Sequence, residues 1–81
     1  MRSNKEMMSA AAAYILGLSP VVKVKGSTKE LRVFTEVLES SRGVYSLLNG
    51  GSTIEALSEA LADKSKKART FKATFGQAWP F

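Results

Sequence analysis

GSTKELRVFTEVLESSRGVYSLLNGG, residues 26–51, decides the fold. Ser27 and Glu30 have the spacing at which a serine hydroxyl accepts from the backbone N–H three residues on while the glutamate reaches back to the cap, so a helix opens here. From there Leu31, Phe34, Val37, Leu38, Ser41, Val44, Tyr45 and Leu48 fall on one broad stripe at about 100° per residue. Asn49, Gly50 and Gly51 close it, because Asn and Gly tolerate the left-handed backbone a helix end uses. Gly43 interrupts the pattern at about 1 kcal/mol relative to Ala, which makes residues 40–43 a candidate kink or break.

The same Ser-x-x-Glu signal recurs at Ser3 to Glu6 and at Ser52 to Glu55. The first announces a helix over residues 4–17, with Met7, Ala11, Tyr14, Ile15 and Leu18 on one face and Gly17 and Pro20 as its stop. The second announces a helix from Thr53 that aligns Ile54, Leu57, Leu61, Ala68, Phe71 and Phe75. Lys64 falls in the middle of that apolar side, so either its stem snorkels or the helix ends near Asp63. In the latter case residues 69–75 (RTFKATF) alternate well enough to be a strand.

Between the first two helices, VVKVK at residues 21–25 has strand character, but a lone strand leaves its backbone groups unpaired. Its partner would be residues 69–75, residues 78–81, or the same strand of a second subunit. The expected fold class is mostly α: one small three-helix domain over residues 1–81, with at most two short β-strands. An α+β arrangement is the alternative, and residues 76–81 are a candidate separate terminal element.

At 81 residues the chain is a single domain that buries only about 60–65% of its unfolded surface, so any pocket is shallow and dimerisation is an open option. There is no Cys and no His, which removes disulfides, thiolate nucleophiles, the usual general base and the commonest metal ligand. The carboxylates Glu36, Glu39, Glu55, Glu59 and Asp63 sit at helix-surface spacing, where solvation suffices. The expectation is a protein that is not an enzyme, with no catalytic residues, no metal site and no cofactor. The short apolar run over residues 10–18 carries no cleavage signal and is too short to span a membrane. A cytoplasmic protein with no membrane association is therefore expected.

Five of the nine residues from Lys64 to Lys72 are basic: Lys64, Lys66, Lys67, Arg69 and Lys72. Such a cluster attracts phosphates through counterion release, and the net charge of +5 agrees. Lys23, Lys25 and Arg42 extend the patch. A solvated helix C-terminal half whose cations complement the macrodipole explains the same residues. Phe71 and Phe75, four apart, belong to the core face. Trp79 and Phe81 lie beyond Gly76 around Pro80, and either fold back as a lid over the core or anchor a partner.

Residues 43–50 resemble, over a handful of positions, the recognition-helix end of a lactose-repressor-type helix-turn-helix. That motif needs a tight turn beforehand, for which only residues 40–43 are available, and no contact residue is carried over.

The first expectation for function is a basic module binding nucleic acid, DNA or RNA, through phosphates with low sequence specificity. The second is a protein-interaction module, an accessory subunit or an inhibitor of the kind small viral and mobile-element genomes encode. It would dock on an acidic protein through Trp79, Phe81 and the basic face. The third is a virion or other assembly subunit, which requires residues 21–25 to pair between chains.

Overall fold

The computed structural model describes residues 4–18 and 26–81, and the fold is all-α there. Helix α1 spans Asn4–Ile15, α2 spans Thr28–Gly50 and α3 spans Ile54–Phe75, with no strand among the described residues. The cap at Ser3 and the strand over residues 21–25, with Lys23 and Lys25, lie outside them.

The start of α2 forms as its sequence predicts. The Ser27 hydroxyl accepts from the Glu30 N–H at 3.2 Å, and the Ser27 N–H donates to Glu30 Oε1 at 2.9 Å. The helix runs unbroken through Gly43, so the candidate break at residues 40–43 does not occur and no turn precedes residues 43–50. At its end Gly51 is left-handed (φ 69°) and its N–H donates to the Leu47 carbonyl.

That closing turn also corrects the expected cap of the third helix. The Ser52 N–H is drawn to the Leu47 carbonyl at 3.3 Å. Ser52 therefore finishes α2, and Thr53 takes the cap of α3 by accepting from the Ala56 N–H at 3.2 Å. Residues 69–75 are the last turns of α3, so the strand alternative for them is overturned. Helical spacing, which holds both Phe71 and Phe75 toward the interior side, prevails over local alternation.

α1 stops two residues earlier than its periodicity suggests. The Leu18 N–H reaches the Ala13 carbonyl at 2.8 Å and the Gly17 N–H the Tyr14 carbonyl at 3.0 Å, around a left-handed Gly17. This double bond pattern ends a helix and swings the chain outward. Leu18, expected on the core face, is exposed as a result.

α1 and α3 each lie along α2, and their backbones do not approach each other closely. Met7, Ala11, Tyr14 and Ile15 of α1 meet Val33, Phe34, Val37 and Leu38 of α2, while α3 contributes Phe71 as its one fully enclosed side chain. Trp79 joins the same cluster from the C-terminal segment. Across the α2–α3 seam the Ser40 hydroxyl donates to Asp63 Oδ2 at 2.6 Å. On the α1 side the Tyr14 hydroxyl donates to Glu39 Oε2 at 2.6 Å. No helix among the described residues is long and apolar enough to cross a membrane.

Candidate functional site

The cations of α3 divide into those held by neighbours and those left to solvent. Lys67 pairs with Asp63 at 3.4 Å, one helical turn back. Lys64 donates to the main-chain oxygen of Phe81, so its stem passes the apolar side and its ammonium fastens the C-terminal segment. Lys66, Arg69 and Lys72 are exposed, and none has a carboxylate partner among the described residues. Spaced three apart, they spread over an arc of about 120° on α3 rather than a narrow stripe. Arg42 is not part of that face. Its guanidinium lies 4.5 Å from the centre of the Tyr14 ring, a cation–π contact that joins α2 to α1.

The protonation of Asp63 is displaced. The Ser40 hydroxyl holds its carboxyl below the ordinary value against an opposing desolvation, and the Lys67 hydrogen bond, the Lys67 charge and the Lys66 charge act in the same direction as Ser40.

The C-terminal segment separates the two rings grouped by sequence. Trp79 is buried, with its centroid 5.0 Å from Phe71 and 6.0 Å from Phe34, both edge-on. Its indole N–H donates to the buried Ser41 hydroxyl at 2.7 Å. Trp79 therefore packs inward over α2 and α3, and its ring is not presented to a partner in this arrangement. Phe81 packs edge-on against it at 5.4 Å and remains 38% exposed.

Beside Phe81 lies a groove of about 500 Å³. Its floor is the C-terminal half of α2, with Ser41, Val44, Tyr45 and Leu48. One wall is the end of α1 (Ala12, Ile15, Leu16), and the other is Leu61 and Lys64 of α3 with Pro80 and Phe81. A second depression of about 390 Å³ continues past Ile15, Leu16 and Tyr45 to Arg42 and Asn49. Leu16, Leu48 and Leu61 are 49%, 60% and 44% exposed around it.

Sequence periodicity assigns Leu48, Tyr45 and Leu61 to core faces, and in α2 it misses Val33, which is buried. The reason is length. α1 has 12 residues and α2 has 23, so a face apolar along its whole extent is covered only over part of it. Comparing the two expected helix lengths is the one sequence signal that points to the groove.

Neither depression is lined by a carboxylate; Lys64 lines the first and Arg42 the second. No cluster of three metal-ligating side chains forms among the described residues. The arrangement is suited to holding apolar side chains rather than to polarising a bond. No protein-family model matches the chain, nor does any curated protein or solved structure.

Proposed function

We propose that the protein is a non-enzymatic interaction module that docks another protein chain in the groove over the C-terminal half of α2. The observation that carries this reading is the gathering of Leu16, Leu48, Leu61 and Phe81, all at least one-third exposed, around one concavity. Single exposed apolar residues need no explanation, but a contiguous set lining a groove marks an interaction surface. Phe81 is the exposed ring of the C-terminal pair and takes the anchoring role considered for Trp79.

The test is affinity capture from lysate with nuclease present, using wild type, Leu48→Asp with Leu61→Asp, and Lys66→Glu with Arg69→Glu. A protein recovered by wild type and by the α3 variant but lost with the groove variant supports the proposal. A partner that survives the groove substitutions sinks it.

The second reading, nucleic-acid binding through phosphates, is favoured by Lys66, Arg69 and Lys72, which are exposed on α3 and have no carboxylate partner among the described residues. Three phosphate contacts would give binding that falls steeply with salt, with a log–log slope of about −3 on duplex DNA. Charge reversal at Lys66 and Arg69 should abolish that slope and leave the groove untouched. Absence of salt-sensitive binding by the wild type at low ionic strength removes this reading.

A further inference from the structure

Resting on the docking proposal above, we infer that the groove's occupant is an amphipathic helix carrying acidic residues beside its apolar face. The shape of the site gives the first half of the inference. α1 ends at Ile15, α2 continues to Gly50 and α3 runs along its other flank, so the C-terminal half of α2 lies in a slot bounded on both sides by helices. Residues 41–50 of α2 offer a floor about 15 Å long, nearly three helical turns. A partner helix laid there would complete a four-helix arrangement and insert apolar residues at i, i+3, i+4 and i+7.

Charge gives the second half. The lining of both depressions contains Lys64 and Arg42 and no Asp or Glu. The acidic residues of α3, Glu55, Glu59 and Asp63, project at least about 120° around the helix from Leu61, away from the slot. Asp63 is further held at the opposite seam by Ser40 and Lys67. A helix bearing carboxylates next to its apolar stripe meets Lys64 at the α3 wall and Arg42 where the second depression continues, whereas a basic helix meets like charge at both. The same argument disfavours a second copy, because two copies facing each other through the groove would bring Lys64 and Arg42 against their equivalents.

The test uses three synthetic helical peptides against the full isotope-labelled chain, followed by amide NMR. The first carries a leucine face with glutamates elsewhere, the second the same leucine face with lysines, and the third a scramble of the first that destroys the face. The glutamate peptide is expected to move the amides of Tyr45, Leu48 and Leu61 and to bind at least about tenfold more tightly than either other peptide. That preference should shrink as salt rises from about 0.05 to about 0.5 M. Leu48→Asp, at an exposed position and with its fold checked by circular dichroism, should weaken binding by a similar factor.

Equal or tighter binding of the lysine peptide in the groove overturns the acidic assignment and leaves the docking proposal standing. Shifts confined to the face of Lys66, Arg69 and Lys72 overturn the groove assignment. Failure of all three peptides, where the lysate partner is nonetheless lost with Leu48→Asp, overturns the helical occupant alone. A wild-type mass that doubles with concentration and reverts with Leu48→Asp assigns the groove to a second copy instead.

Discussion

Trp79 shows how one side chain can stand in for a missing helix contact. The backbones of α1 and α3 do not approach each other closely, and the indole packs over α2 and α3, edge-on to Phe34 and Phe71. Burying a side chain of this size contributes about 2–3 kcal/mol from apolar transfer alone, and the N–H to Ser41 bond keeps the ring's polar atom satisfied. Trp79→Phe should cost about 1–2 kcal/mol, from the lost bond and the unpaired Ser41 hydroxyl. Trp79→Ala should cost about 3–5 kcal/mol, because the cavity adds to the transfer loss. Urea unfolding of the two variants checks both, and equal midpoints for wild type and Trp79→Ala would show that the segment does not close the core. For the same reason Trp79→Ala is a poor probe of partner binding, and Phe81→Ala is the cleaner one.

At the scale of the element, α2 is the frame on which the other two helices depend, and its weakest point is Gly43. The residue is helical and exposed, and a Cβ there would meet nothing within 4 Å. Gly43→Ala should therefore stabilise the protein by about 0.5–1 kcal/mol, since alanine restricts the unfolded chain without straining the folded one. A rise in thermal midpoint with unchanged helicity is the expected result, and a fall would mean that α2 needs to bend there. α3 shows how charge follows the helix dipole: Glu55 opens it, Lys72 closes it, and the cations concentrate in its second half. That pattern alone accounts for much of the basic cluster. The part it does not absorb is the set Lys66, Arg69 and Lys72, exposed and without a carboxylate partner among the described residues.

For the whole molecule, the seam between α2 and α3 carries a pH dependence of known sign. Asp63 has a folded value below its usual 3.8, chiefly because of Ser40. A depressed carboxylate stabilises fully above its unfolded value and loses that contribution as pH falls through the folded one. Asp63→Asn should therefore be less stable than wild type at neutral pH, by a small margin that salt reduces further. The two should converge only as the pH falls from 3.8 through the lower folded value. Urea midpoints across this range check it, and a gap that stayed constant with pH would remove Asp63 as the source.

Sequence by itself determined what depends on neighbours within a few turns of chain: the Ser27 capping box, the starts of three helices, the glycines that end the first two and the apolar side shared by Phe71 and Phe75 if α3 is continuous, which the structure decided. These are local because capping bonds and helical periodicity act over three to five residues. Only the tertiary structure decided the rest. Trp79 and Ser41 are 38 positions apart, and nothing near either one names the other. Which cations are occupied also followed from long-range placement, with Lys64 drawn to Phe81 and Arg42 to Tyr14. The groove arose the same way: periodicity marks a face as apolar, but how far it is covered depends on where a shorter helix stops beside it.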